Sequence, residues 1–308
     1  MNTRLRRSIL SVPGHRDSMH LKAAGSAADV IMLDLEDSCP EAEKTNGRSM
    51  VRRSLREIDW SHHLLTLRIN DLAGPHALRD VLELVPEAGG RLDTLVVPKV
   101  ESVSQIHYLD HLLTAVEREA GLERPIGIEA IIESARALRD APDIAAASPR
   151  LRCLVFGVAD YSASINMPLS SISGHGENDG VYPGDPLHFV YSRLIISGKA
   201  EGLQVIDAPY GNFKDAEGLN IAAARSRALG FDGKWVIHPA QIDAVNQAFS
   251  PSPEEIERAK QVLAAYRKAG KEGRGSAAIG GSMIDHASVR MAQDVMARAD
   301  AARTKTAT

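Results

Sequence analysis

Residues 126–134 read IGIEAIIES and residues 153–161 read CLVFGVADY. Two apolar runs end on carboxylates, Glu133 and Asp160, with a helix-like stretch between them. Buried strands seldom finish on bare charge unless the charge is used. If the two runs are neighbouring parallel strands, their acids lie at the same end. They can then share a hard cation such as Mg²⁺. The fold depends on whether the remaining chain closes a barrel around this pair.

Outward from that stretch the pattern repeats. Apolar runs at 8–13, 30–36, 64–69, 94–100, 126–133, 153–160, 203–209 and 233–238 alternate with helical segments at 17–28, 40–58, 76–85, 102–120, 135–147, 187–201, 216–229 and 239–248. Eight strand-and-helix units over about 240 residues predict an α/β fold of the TIM (β/α)8 barrel type. A doubly wound open sheet is the competing architecture, but no GxGxxG fingerprint follows any run. A loop rich in Gly, Ser and Pro spans 166–186. Residues 1–250 are read as the catalytic barrel and 251–308 as a C-terminal helical extension, or lid. Within the extension, 253–269 and 286–302 read as helices and the glycine-rich 270–281 as a hinge or linker.

Composition excludes several classes. A formal net charge of -4 argues against a nucleic-acid surface, which needs a basic stripe. The short cluster Arg4, Arg6, Arg7 reads as a solvated N-terminal arm. No apolar run approaches the ~20 residues of a membrane span, and the N-terminus lacks a signal-peptide core. Two distant cysteines, Cys39 and Cys153, lack ligand spacing and suit a reducing, cytoplasmic setting.

In such a barrel the site forms at the C-terminal strand ends. Arg16 follows the first run, and Asp34, Glu36 and Asp37 close the second. Arg68, Lys99, Glu133, Asp160, Asp207 and His238 close the next six in turn. Convergence of so many polar groups on one rim is hard to explain by structure alone. Individually, Asp34, Lys99 and Asp207 read equally well as internal ion-pair partners, and His238 as a residue holding a loop. Glu36 and Asp37 are open to bracing by Lys44 or Arg48. Glu129 shares a strand face with Glu133 and reads as a deeper acid paired with a base.

Two carboxylates without His or Cys partners suit Mg²⁺ or Mn²⁺ better than Zn²⁺. A hard cation polarises an α-keto acid as a Lewis acid. Arg68 suits an enolate oxygen or a carboxylate. Together they point to making or breaking a carbon–carbon bond next to a carbonyl. A barrel that binds such metabolites without turnover is the alternative outside enzymes, and the presence of both acids weighs against it.

The motifs RSILSVPGHR, VIMLDLEDS, LRIN, VPKV, IIES, FGVADYSAS, IDAPYG, GKWVIHPAQI and FSPS stand in an order that resembles the HpcH/HpaI aldolase and citrate lyase β-subunit superfamily, and most nearly its malyl-CoA lyase branch. The resemblance runs from about Arg7 to Ala299. It implies Mg²⁺ (or Mn²⁺) on Glu133 and Asp160, and Arg68 on the oxygens of the thioester or keto acid. It implies that Arg16 and Lys22 bind the coenzyme A portion, and that Ala159, Ile237 and His238 contact the ligand. It places a proton-transferring aspartate at Asp285, reaching a neighbouring subunit, and so a homo-oligomer, a trimer or hexamer. From the residues alone Asp285 reads as the N-cap of the last helix. Where the family often has Gly-Lys before this Met-Ile-Asp, the chain has Gly281-Ser282. The implied reaction is reversible cleavage of a 3-hydroxyacyl-CoA of the malyl-CoA or β-methylmalyl-CoA type to acetyl-CoA or propionyl-CoA and glyoxylate. A citramalyl-CoA or citryl-thioester lyase and a malyl-CoA thioesterase are the alternatives.

Overall fold

The computed structural model describes residues 5–169, 184–273 and 275–306. Most of the predicted loop at 166–186 falls outside them. Eight parallel strands close into a barrel in chain order: β1 (Ser8–Pro13), β2 (Val30–Asp34), β3 (Leu64–Arg68), β4 (Thr94–Val97), β5 (Gly127–Ile132), β6 (Leu151–Phe156), β7 (Gln204–Asp207) and β8 (Gly233–Val236). Ring closure is by β1 on β8, with Ile9 opposite Trp235.

The strands are apolar on both faces because both faces are covered. Ile9, Val30, Met32, Leu64, Val96, Ile131, Val155, Ile206 and Trp235 pack together in the barrel interior. The alternate residues, among them Leu10, Ile31, Leu67, Leu95, Ile132, Phe156 and Val205, pack under the surrounding helices. The period of two therefore decides which rim residues face the mouth.

Two local features bear on the site. Ile128 pairs with Leu151 but Glu129 pairs with Cys153, so Arg152 is an extra residue bulged out of β6. The alternation restarts beyond it: Leu151 lies under the helices, Cys153 inside the barrel. Second, β6 begins two residues before the predicted run and ends at Phe156. Asp160 is consequently not a strand end. It sits in the first turn of the helix Val158–Ser164.

The N-terminal arginines are not a solvated arm. Arg6 is buried and pairs with Glu129, which also accepts from Thr94 Oγ1 at 2.5 Å. Arg7 grips Asp29 with Nε and Nη2 at 2.8 and 2.9 Å. Arg4 lies outside the described residues.

The chain divides into two compact units, Arg6–Phe249 and a second made of the residues from Ser250 onward together with Leu5. In the second, the helices Pro253–Lys271 and His286–Thr306 pack around Ala259, Val262, Ile284 and Ala292. The predicted linker at 270–281 is in part an antiparallel hairpin of β9 (Ala277–Ile279) and β10 (Ser282–Ile284). Its two-residue turn, Gly280-Gly281, takes φ of 57° and 82°, the positive pair that tight hairpins require.

Candidate active site at the barrel mouth

A cavity of about 350 Å³ opens at the C-terminal strand ends. Asp34, Asp37, Arg68, Glu133 and Asp160 supply its charge. Ser11, Trp235 and Ile237 line it beside Gly157, Val158 and Ala159.

Arg68 is its fixed point. Asp34 and Arg68 end adjacent strands in register, side by side and facing inward. Arg68 Nε and Nη2 donate to the two oxygens of Asp34 at 2.7 and 2.6 Å. Nη1 meets Glu36 at 2.8 Å and Asp37 at 3.3 Å. The guanidinium lies 5.3 Å from the Trp235 ring centroid. Burial opposes the charge on both Asp34 and Arg68, and their pairing outweighs it. The Asp34 carboxyl is held below its usual range and the Arg68 guanidinium is raised above its own.

Glu133 follows β5 directly. Its Oε1 accepts the Lys99 backbone N–H at 2.6 Å. Its side chain lies over Gly157, where an added Cβ would stand 2.4 Å from Oε2 and 2.6 Å from the Glu133 Cβ. Glycine is required there by that close approach. Gly157→Ala is expected to displace the carboxylate and weaken Mn²⁺ binding by about 10–100-fold, as loss of support around a ligand does. Calorimetric titration checks this.

Burial pushes the Glu133 carboxyl up to about 7; the charges of Asp160 and Glu36 add to this and the Lys99 N–H opposes it. Among the described residues neither Glu133 nor Asp160 makes an ion pair. No set of three or more His, Cys, Asp or Glu side chains converges as a metal cage among those residues. Two carboxylates with room beside them fit a cation that keeps water and substrate ligands, as Mg²⁺ does, and not a closed zinc site.

The raised Glu133 carboxyl has a consequence for metal-free protein. The unfolded chain loses this proton near pH 4.5 and the folded chain only near 7. Between those values the unfolded state binds fewer protons, so stability falls as pH rises, by roughly 3 kcal/mol across the window. Glu133→Gln is expected to abolish that part of the slope. Urea unfolding of chelated protein from pH 4.5 to 7.5 measures it; equal slopes for both proteins would refute the assignment.

Of the predicted site residues, Arg68, Glu133, Asp160, Ala159 and Ile237 line the cavity. The Ile237 N–H is taken by Gln241 Oε1 at 2.9 Å, which leaves its half-exposed side chain to face a ligand. His238 does not line it. Its Nδ1 accepts from the Ala240 N–H at 3.2 Å, and its ring stacks on Phe213 at 4.6 Å. Arg16 and Lys22 are exposed on and before the helix Asp17–Ala24 after β1. Asp285 belongs to the second unit. Its exposed carboxylate caps the last helix, accepting the Ser288 N–H at 2.8 Å and Oγ at 2.9 Å, and these bonds hold it below the usual range.

Asp207 is not part of the mouth. It lies on the outward face of β7, buried against Lys234 and accepting from Ser226 Oγ at 2.5 Å. Lys44 and Arg48 do not meet the carboxylates of Glu36 and Asp37. Lys44 Nζ donates to the Leu35 and Glu36 carbonyls at 2.8 and 2.7 Å, and Arg48 pairs with Asp80 at 3.1 Å. Trp235 and Gly157 were not readable as site residues from their types. The signal was positional: each lies on the inward face of its strand line.

A closed parallel barrel with an anchored arginine and two unpaired carboxylates at its mouth is built to hold a divalent cation beside an oxyanion. The chain belongs to the HpcH/HpaI aldolase/citrate lyase family, which residues 7–239 match. It is 39% identical over 306 residues to an L-malyl-CoA/β-methylmalyl-CoA lyase of Rhodobacter capsulatus, with 97% of this chain and 96% of that one covered. It is 35% identical over 305 residues to a citrate lyase subunit β of Leuconostoc mesenteroides, covering 97% and 95%. Among solved structures it is similar to CitE from Mycobacterium tuberculosis, in complex with magnesium, acetoacetate and coenzyme A. There the TM-score is 0.77 and the identity 31%, over 97% of this chain and 100% of the other.

Proposed function

We propose that this chain is a Mg²⁺-dependent, Mn²⁺-tolerant carbon–carbon lyase that reversibly cleaves a malyl-CoA or β-methylmalyl-CoA type thioester to acetyl-CoA or propionyl-CoA and glyoxylate. The observation that carries this is the placing, in one cavity, of Glu133 and Asp160, which make no ion pair among the described residues, with an Arg68 locked by Asp34 and Glu36. When bound by Glu133 and Asp160, Mg²⁺ supplies Lewis-acid polarisation of the keto acid.

In the condensing direction Asp285 of a neighbouring copy takes a proton from the acyl methyl or methylene group. Arg68 steadies the enolate oxygen. The enolate carbon attacks the glyoxylate carbonyl carbon, and the new alkoxide collects a proton from water. Cleavage reverses each step, with the Asp285 carboxylic acid reprotonating the enolate carbon. Arg16 and Lys22 serve the coenzyme A portion; Ala159 and Ile237 contact the ligand from the cavity lining, and His238 from beside it. Residues 251–308 act as the lid that delivers Asp285, which requires a homo-oligomer, a trimer or hexamer. Two free, buried cysteines suit the reducing cytoplasm. Among the described residues no helix is long and apolar enough to cross a membrane.

The test is product analysis with malyl-CoA, β-methylmalyl-CoA and citramalyl-CoA in Mg²⁺. Glyoxylate with acetyl-CoA or propionyl-CoA supports the proposal. Malate with free CoA makes the chain a thioesterase, and pyruvate release from citramalyl-CoA alone makes it a different lyase. Full turnover after exhaustive chelation would remove the metal from the scheme.

A further inference from the structure

We propose that Lys99 is a positioning residue that ties the two halves of this site together. Its backbone holds the cation-binding carboxylate of Glu133, and its side chain holds Glu36, the partner of Arg68. The inference rests on the cation-binding reading above.

Lys99 lies two residues beyond β4 with φ of 52°. A residue with a Cβ rarely adopts this left-handed conformation, and glycine adopts it freely. The conformation aims the Lys99 N–H at Glu133 Oε1, 2.6 Å away. The peptide is fixed from behind. Gln105 Nε2 donates to the Lys99 carbonyl at 3.3 Å, while Gln105 Oε1 accepts the N–H groups of Glu101 and Ser102 at 2.7 and 3.1 Å. A glycine would make the same backbone contact with less strain. What lysine adds is Nζ, which donates to Glu36 Oε1 at 2.7 Å.

The other oxygen of Glu36 accepts from Arg68 Nη1 at 2.8 Å and from the Asp37 N–H at 2.9 Å. Lys99 and Arg68 thus divide one carboxylate between them. The lysine side chain is 41% exposed, so it is not there to fill the core. Without it Glu36 loses one of its two cationic partners and is free to rotate, so the carboxylate that fixes Arg68 Nη1 is itself no longer fixed. One residue therefore presents the cation ligand through its main chain and holds the carboxylate that orients Arg68 through its side chain.

The two roles separate by mutation. Lys99→Gly keeps the conformation and the N–H but removes Nζ. Its Mn²⁺ affinity, read from the free-ion electron paramagnetic resonance signal, is expected within about twofold of the parent, because the support of Glu133 is retained. Its affinity for oxalate, titrated calorimetrically into Mn²⁺-loaded protein, is expected to fall about tenfold, with KM for the keto acid rising alike and kcat changing less. Lys99→Arg is expected to recover most of that loss. Lys99→Val, β-branched and hostile to positive φ, is expected to lose Mn²⁺ affinity as well, by about 10–100-fold. Should Lys99→Val fail to fold, Lys99→Gly and Lys99→Arg decide alone. Unchanged oxalate binding in Lys99→Gly overturns the proposal, as does a loss of Mn²⁺ affinity in Lys99→Gly comparable to that of the metal-ligand variant Glu133→Gln. Both titrations are independent of turnover. If no thioester is cleaved, the lyase reading fails while these measurements still decide the role of Lys99.

Discussion

Arg68→Lys is expected to lower kcat/KM by about 10²–10³-fold, the usual consequence of losing one donor to a developing oxyanion. The reason is geometric. Arg68 spends Nε and Nη2 on Asp34 and Nη1 on Glu36 and Asp37, and so stands fixed at the cavity wall. A lysine keeps the positive charge but has no planar fork, so it cannot anchor on Asp34 with two parallel bonds and still offer a directed donor. Its cost in stability is that of weakened charged hydrogen bonds, about 1–3 kcal/mol. Arg68→Ala is the poorer experiment. It strands Asp34, a carboxylate 0% exposed, without its partner. A buried charge left so costs about 3–5 kcal/mol, and lost activity would then be confounded with lost fold. Steady-state kinetics and urea unfolding, run on the lysine variant together, separate chemistry from stability. A rate equal to the parent's would remove the guanidinium fork from the mechanism.

Asp285→Ser is expected to slow exchange of acetyl-CoA methyl protons with solvent deuterium by about 10²–10⁴-fold, the range for a lost general base. Serine is chosen because Asp285 has a second occupation. It caps the helix His286–Thr306 by accepting the Ser288 N–H, and removing a cap with alanine costs about 1 kcal/mol. Serine caps nearly as well and carries no carboxylate. Its melting temperature should therefore match the parent's while exchange collapses. If the base reaches across subunits, mixing Asp285→Ser with Arg68→Lys copies restores activity, since some mouths then receive both intact residues. Unchanged exchange would return Asp285 to capping alone, and failure of the mixture would put it in its own subunit's site.

Much of the barrel and its mouth was readable from sequence because the two signals reinforce each other. Runs apolar on both faces mark buried parallel strands, and a charge closing such a run marks the rim. The rule overreached at Asp207. A residue at a strand end faces the mouth only if its parity is inward, and one residue decides that. Asp207 pairs outward with Lys234 and Ser226 instead. It also misplaced Asp160, since GVA continues the apolar pattern of β6 into a helix that opens on buried Val158 but leaves Ala159 and Asp160 exposed. Arg6 and Arg7 looked solvated because their partners, Glu129 and Asp29, are distant in sequence. The hairpin at 277–284 was hidden by strands of three residues each, too short to show a period, and by glycines that serve a tight turn as readily as a linker. No sequence signal marked the positive φ of Lys99, because the residue type argues against it.

The bulge at Arg152 makes the base of β6 a place where chain length can change without disturbing the chemistry above it. Leu151 already pairs with Ile128 and Cys153 with Glu129, so excising the residue between them leaves every later pairing as it stands. The same excision between Cys153 and Gly157 would reverse the parity of the upper strand and bring a side chain under Glu133, where only hydrogen fits. Insertions and deletions of one residue should therefore be tolerated at Arg152 and lethal between Cys153 and Gly157.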